Sequence, residues 1–89
     1  MASDTDSLLQ FPCTFPIKAM GYSSAEFAEQ IWQIIQRHAP DTDRSELSMR
    51  SSRNGKYLAV SIIINATSRA QLDAIYLELT AHEQVVMAL

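Results

Sequence analysis

The chain has 89 residues, the length of one small domain, which excludes a two-domain enzyme. Hydrophobic residues make up 47% and charged residues 19%, proportions that favour a folded core over a disordered chain. The formal net charge of −3 argues against binding nucleic acid or anionic membranes by overall charge. The single cysteine, Cys13, excludes an internal disulfide and leaves too few ligands for a cysteine-based zinc site or an iron–sulfur cluster.

The N-terminal segment is predicted to lie outside the folded domain. Residues 1–10 are rich in Ser, Thr and Asp and are typical of a mobile arm, so the domain is expected to span residues 11–89. Asp4 and Asp6 stand where a secretory signal needs positive charge, and no apolar run reaches the roughly 20 residues that cross a bilayer. With a free thiol and no export signal, the expected location is the cytoplasm.

The first predicted strand covers residues 15–20, where apolar and other side chains alternate. Pro16 cannot donate a backbone hydrogen bond, so we expect it at the beginning of the strand or at a bulge. Gly21 and Tyr22 are then expected to turn the chain.

A helix is predicted next, opened by a capping box in which Ser23 is followed three residues later by Glu26. Pro40 marks its end, because proline cannot continue a helix. The stripe expected to face the core consists of Phe27, Ile31, Ile34, Ile35 and His38.

Two further strands are predicted as a hairpin. Residues 46–53 have the alternation of an edge strand, and residues 56–66 are rich in β-branched side chains and should be central. Asn54 and Gly55 between them predict a type I′ turn, because both residue types tolerate positive φ. The side chains expected to face the core are Leu58, Val60, Ile62, Ile64 and Ala66.

Thr67 or Ser68 is expected to cap a second helix, and residues 85–89 to form a last strand. The apolar stripe of this helix consists of Leu72, Ile75, Tyr76 and Leu79. The order βαββαβ predicts an α+β ferredoxin-like fold, a two-layer sandwich in which a four-stranded antiparallel sheet, order 4-1-3-2, carries both helices on one face. Gly21 and the hairpin would lie at one end of this sheet, and Cys13, His38, Thr67 and Leu89 at the other.

Four blocks of the sequence, in the same order and spacing, resemble the bacterial family of small uncharacterised YbeD-like proteins: residues 11–21, 37–40, 57–67 and 82–89. The resemblance covers about the last 79 residues. It implies a ferredoxin-like fold similar to the regulatory ACT domains, which bind small effectors, usually amino acids. It also implies a link to lipoate metabolism, because members are often encoded near lipoate-synthesis genes. It supplies no catalytic residues.

An effector site is one candidate for function. The predicted start of the first helix offers free backbone N–H groups near Ser23 and Ser24, Gly21 lets backbone approach closely, and Lys56 could supply a positive charge. Tyr22 lies in the same predicted loop, which coincides with the effector loop of ACT domains. These five residues form a hypothetical site for a small anion, against the alternative of an ordinary capped turn.

A partner surface is a second candidate. Residues 44–56 contain four basic side chains and one acidic one, so this segment is basic on an acidic chain. Arg50, Arg53, Tyr57 and Ile63 are expected on or beside the open sheet face, where they could bind an acidic protein partner or a second copy. Nucleic-acid binding through this hairpin is the alternative, and Tyr57 is the one aromatic side chain expected on the central strands of that face.

Catalysis is not expected. His38 and His82 should lie at opposite ends of the domain, which excludes a shared metal, and no metal or cofactor is predicted. Cys13 and His38 should share one end, and a thiol beside a base could begin a nucleophilic site. No carboxylate that would orient the histidine is evident. The sequence therefore predicts a regulatory or interaction module rather than an enzyme.

Overall fold

The computed structural model describes residues 9–89 as a sheet of four strands with both helices on one side, in the order β2-β3-β1-β4. This confirms the predicted α+β fold and its strand order. The elements are β1 Cys13–Tyr22, α1 Phe27–His38, a short 3-10 turn Arg44–Glu46, β2 Leu47–Ser51, β3 Tyr57–Ala66, α2 Arg69–Ala81 and β4 Val85–Ala88.

The predicted mobile arm falls mostly outside the described residues, which begin at Leu9. Leu9 itself packs against the hydrophobic core. It lies over the second helix, where it lines a small hollow with Phe15, Leu72 and Tyr76. Leu9, which belongs to the predicted arm, is therefore in contact with the folded unit.

The central pair of strands dominates the fold. All ten residues of β1 pair antiparallel with the ten residues of β3, from Cys13 opposite Ala66 to Tyr22 opposite Tyr57. Successive strand residues face opposite sides, so one side of this pair is uniformly apolar and lies under the helices. The side chains buried between sheet and helices include Ile17, Ala19, Val60, Ile62, Ile64, Phe27, Ile31, Ile35, Leu72, Ile75 and Leu79.

The predicted turn at Gly21 and Tyr22 is wrong, because both residues continue β1. Gly21 is paired with Leu58 on one side and with Val85 on the other. A Cβ atom on Gly21 would lie 2.3 Å from the Gln84 carbonyl oxygen and 2.5 Å from the Phe27 ring. Glycine is needed here for close packing within the sheet.

Pro16 lies inside β1 and not at its beginning or at a bulge. The backbone of Lys18 exchanges two hydrogen bonds with Leu89, so alternate residues of β1, including Pro16, direct their backbone groups away from β3. The β4 pairing extends only from Ala19 to Gly21, with Leu89 opposite Lys18. The missing N–H of Pro16 therefore lies on an edge that β4 does not reach, where proline is tolerated.

The predicted capping box is also wrong. The N-cap residue of α1 is Glu26, and no side chain caps this end. Ser23 instead extends the sheet, because its backbone N–H donates to the Lys56 carbonyl oxygen at 2.9 Å. Since the chain leaves the sheet only after Ser23, the helix begins at Phe27. Its end at His38, before Pro40, is as predicted.

The hairpin between β2 and β3 has a different turn from the predicted type I′. Gly55 has φ of +76°, but Asn54 does not have positive φ. The Gly55 N–H donates to the Ser52 carbonyl oxygen at 2.9 Å, and the Asn54 side chain accepts from the Lys56 N–H at 3.1 Å. This loop needs positive φ at the glycine alone.

The remaining elements agree with the sequence patterns. Ser68 caps α2 by accepting from the Gln71 N–H at 3.0 Å, and the apolar stripe of α2 faces the core. The last strand is one residue shorter than predicted. Leu89 lies beside Lys18, near the middle of β1, and not at the Cys13 end of the sheet as expected.

Gly21 gives the first testable prediction. Gly21→Ala should destabilise the fold by about 1–3 kcal/mol, because the new methyl group overpacks against a backbone carbonyl and an aromatic ring that cannot both move. Gly55→Asn is the matched control, with open space around the site and a residue type that tolerates positive φ, and should cost less than about 1 kcal/mol. Urea unfolding of both variants measures the difference. Equal losses would contradict the packing role of Gly21.

Candidate functional site

The five residues predicted to bind an effector do not converge on one pocket. Gly21 is buried beneath the Phe27 ring, so the space expected for a ligand is filled by the protein itself. The Ser23 N–H is already bonded to the Lys56 carbonyl. The Lys56 ammonium lies 5.5 Å from the centre of the Tyr57 ring. Effector binding at this set stays a prediction.

The open face of the sheet is the side opposite the helices. It carries more exposed side chains than the five predicted effector residues provide. Its members follow the strand alternation, with Leu89 continuing β4: Thr14, Pro16, Lys18, Met20, Tyr22, Ser48, Arg50, Tyr57, Ala59, Ser61, Ile63, Asn65, Met87 and Leu89.

Three of the four predicted partner-surface residues meet at one end of the open face. Arg50, Arg53 and Tyr57 line a concavity of about 490 Å³, whose floor includes Met20 and Ala59. Ile63 is 46% exposed and lies farther along β3, away from this group. Two guanidinium groups beside an aromatic ring and a thioether can bind a carboxylate that carries an apolar neighbour.

Tyr22 belongs to this surface, which the sequence reading missed. Its ring lies beside that of Tyr57, with 5.3 Å between ring centres and 30° between ring planes. Extending the alternation of Lys18 and Met20 by one step would have placed Tyr22 on the same side. The turn predicted at Gly21 ended the strand too early for this alternation to be extended to Tyr22.

An apolar strip continues across the sheet from the arginines towards β4. Met20 and Ala59 line both the arginine concavity and a smaller hollow of about 80 Å³, which also contains Met87 and Leu89. Met87 is 50% exposed and Leu89 67% exposed. The small side chains of Ala59 and Ser61 on the central strand form the floor. The open face therefore combines positive charge at one end with exposed apolar surface at its centre.

Charge is divided along the length of the open face. The cations lie towards the hairpin, whereas Asp41, Asp43 and Glu46 line a concavity at the opposite end of β3. The pKa of Asp43 is lowered because the carboxylate accepts hydrogen bonds from Ser45, first from its backbone N–H. The lowered pKa keeps Asp43 in its charged form at neutral pH.

The basic segment is smaller than its composition suggested. The Arg44 guanidinium lies 3.0 Å from the Glu29 carboxylate and 5.2 Å from the centre of the Trp32 ring. Arg44 is therefore held on the helical side of the molecule. Arg50, Arg53 and Lys56 remain as the cations of the hairpin.

The helical layer contains a carboxylate that the sequence reading did not anticipate. Glu78 on α2 contacts both the Arg37 guanidinium and Nε2 of His38 at the end of α1. The pKa of Glu78 is lowered, first by the hydrogen bond from Arg37 and then by that from His38. The residues are 40 and 41 positions apart in the sequence, so only the helix pairing reveals the contact.

Among the described residues, no hydrogen bond or ion pair joins Glu78, Arg37 or His38 to Cys13. Cys13 lies at the start of β1, opposite Ala66, and is half-buried against the core. Within residues 9–89, no group of three or more His, Cys, Asp or Glu side chains is arranged to hold a metal ion. Neither described helix is long and apolar enough to span a bilayer.

Comparison with known sequences identifies a matching family model and similar bacterial proteins. The family model "Protein of unknown function (DUF493)" matches residues 6–89. A UPF0250 protein of Nitrosomonas europaea is 48% identical over 84 residues, covering 94% of this chain and 97% of that protein. A UPF0250 protein of Chromobacterium violaceum is 42% identical over 89 residues and covers both chains completely.

A solved structure supports the same fold. The solution structure of protein HP0495 from H. pylori matches 91% of this chain and 85% of that protein, with a TM-score of 0.69 and 11% sequence identity. At this identity, the likeness concerns the fold alone.

The Glu78 cluster gives a pH-dependent prediction. Because the pKa of Glu78 is lowered in the folded state, its stabilising contribution is present above the unfolded pKa and is lost as pH falls through the folded pKa. Glu78→Gln should therefore lower the free energy of unfolding at pH 7 by at most about 1 kcal/mol, since the pair is solvent-exposed.

Urea unfolding at pH 7 and at progressively lower pH measures this effect. The curves for wild type and Glu78→Gln should converge as Glu78 becomes protonated. Asp73→Asn, which removes an exposed pair with Arg69 on the same helix, is the control. A Glu78→Gln deficit that stays constant with pH would contradict the assignment.

Proposed function

The chain belongs to the DUF493 family of proteins of unknown function, and we propose that it is a non-enzymatic interaction module whose open face binds an acidic segment of a partner protein. The family membership confirms the resemblance to the YbeD-like proteins and the bacterial character of the chain. The proposal itself depends on the surface of this chain.

The observation that carries the proposal is the charge of the open face. In the part of the chain that the structure describes, the strand residues of this face include Lys18 and Arg50 and no carboxylate, although the whole chain has a net charge of −3. Arg53 adds a second guanidinium at the hairpin end. Cations gathered at the hairpin end of the face favour a partner segment of the opposite sign there.

The apolar part of the face supports binding of a protein segment in particular. Tyr22, Tyr57, Met20 and Met87 supply aromatic and thioether surface of the kind that anchors protein interfaces. The concavities are shallow and extend across several strands, a shape suited to an extended chain lying across the sheet. Acidic side chains of such a chain would reach Arg50 and Arg53.

A regulatory role fits this mode of binding. The proposal includes a cytoplasmic location and a connection to lipoate metabolism, in which the protein would act by binding. A small anionic effector at the arginine concavity is the simplest ligand of the same chemistry. Lipoate or octanoate would place a carboxylate at Arg50 and Arg53 and a hydrocarbon chain on Met20 and Ala59.

Nucleic-acid binding is the second candidate, and the Tyr22 and Tyr57 rings favour it. They lie side by side on the two central strands, and sheet-based RNA-binding domains stack bases on aromatic side chains of their sheet. The acidic end of the face, at Asp41, Asp43 and Glu46, would repel the phosphate backbone of a long nucleic acid. A short single strand confined to the hairpin end would avoid it.

The proposal predicts that removing two cations from the open face abolishes partner binding. Arg50→Ala with Arg53→Ala should lose capture of the partner from native bacterial lysate, whereas Arg37→Ala with Arg69→Ala, the same charge change in the helical layer, should retain it. Quantitative mass spectrometry of the captured proteins compares the variants. Circular dichroism checks that both are folded.

The same variants separate the candidate ligands. A partner that survives nuclease treatment and depends on Arg50 and Arg53 supports protein binding. Loss on nuclease treatment, with affinity falling steeply with salt, assigns the face to nucleic acid instead. A thermal shift with lipoate, octanoate, amino acids or phosphate alone indicates an effector site. Equal capture by both double variants would overturn the role of the open face.

A further inference from the structure

The outer edge of β2 has unused backbone hydrogen-bonding groups. The Ser52 N–H donates to the Tyr57 carbonyl oxygen at 2.9 Å, so Ser52 faces β3. Alternate residues of an antiparallel strand face the same neighbour, which directs the backbone of Ser48 and Arg50 towards β3 as well. The N–H and C=O groups of Met49 and Ser51 and the C=O group of Leu47 therefore point outward, beyond the edge of the sheet, whereas the Leu47 N–H donates to the Arg44 carbonyl oxygen.

Met49 on this strand is an apolar side chain that the helices leave uncovered. It lies opposite Val60, which is 1% exposed, and so belongs to the helix-facing side of the sheet. Met49 itself is nevertheless 59% exposed. Since neither helix covers this edge, another strand placed beside β2 would bring side chains against Met49.

A second copy of the same strand fits this edge in an antiparallel register. When Met49 lies opposite Met49 of the second copy, Leu47 lies opposite Ser51, and every outward-facing residue meets another outward-facing residue. Because the Leu47 N–H of each copy is already bonded to the Arg44 carbonyl oxygen, the three pairs exchange four backbone hydrogen bonds, two from the Met49 pair and one from each Leu47–Ser51 pair. The two methionine side chains meet on the helix-facing side of the joined sheet.

The charges are complementary in the same register. Antiparallel pairing brings the acidic end of β2, with Asp43 and Glu46, beside the hairpin end of the other copy, with Arg50 and Arg53. Arg50 lies opposite Ser48, so no like charges oppose each other, and Glu46 is diagonal to Arg50 of the second copy, within reach of long side chains.

We propose that this protein forms a two-fold symmetric homodimer by pairing β2 with β2 of a second copy, which joins the two sheets into one of eight strands. The interface is self-complementary, as two-fold symmetry requires. It is short, so the dimer is reversible and depends on protein concentration. The two open faces become one continuous surface, and this inference does not depend on what that surface binds.

Cysteine cross-linking tests the register directly. In the proposed dimer the two Cα atoms of residue 49 are about 5.5 Å apart, within disulfide range, whereas those of residue 48 are diagonal at about 7–8 Å. In a Cys13→Ala background, Met49→Cys should form disulfide dimers under mild oxidation at least tenfold faster than Ser48→Cys. Equal rates at the two positions, or no cross-linking at either, would overturn the proposal.

Sedimentation equilibrium of the full-length chain provides a second test. Met49→Lys places two positive charges opposite each other and should weaken dimerisation at least tenfold, whereas Leu77→Lys, at a 72% exposed position on α2, should not. Glu46→Arg or Arg50→Glu alone should weaken the dimer, and the double variant should restore it. A wild-type chain that stays monomeric at millimolar concentration, or a dimer insensitive to Met49→Lys, contradicts the interface.

Discussion

The structure depends on the antiparallel pairing of β1 with β3 along all ten residues of each strand. Because side chains alternate, this one register places Ile17, Ala19, Val60, Ile62 and Ile64 together beneath the helices. A shift of β1 by one residue against β3 would turn Ile17 and Ala19 to solvent and bring Lys18 inside. The same alternation assigns Lys18, Met20, Tyr22 and Tyr57 to the opposite face, so the buried core and the candidate binding surface are set together.

The two faces have separate roles as a result. In the helical layer, charged side chains form ion pairs with one another: Glu78 pairs with Arg37 and His38, and Arg44 pairs with Glu29. The open face keeps its cations exposed beside aromatic and apolar side chains. A binding function on the sheet can thus vary without disturbing the core. β2 has Glu46 just before one end and Arg50 near the other, so a second copy of the strand in antiparallel orientation would place opposite charges near each other.

Sequence patterns within single strands and helices predicted most of this fold, whereas contacts between different elements could not be predicted from such patterns. Alternation and helical stripes identified every strand and both helices. Ser23 and Glu26 have capping-box spacing, but the Ser23 N–H bonds to Lys56, a strand partner that spacing alone does not reveal. Gly21 looked like a turn residue because its close neighbours, Phe27 and Gln84, come from elsewhere in the chain. The error placed Tyr22 in a loop and not on the open face. The Glu78 contact with His38 was missed for the same reason, because it joins two helices.

We propose that the open face is the surface through which this protein acts. Photo-cross-linking in living bacteria tests this role, with a photoreactive amino acid replacing Tyr57 on the open face or Leu77, an exposed residue of the helical layer. Adducts with another cellular component are expected from position 57, lost when Arg50 and Arg53 are replaced by alanine, and none are expected from position 77. Adducts from position 77 alone, or adducts from position 57 that persist without the two arginines, would contradict this role.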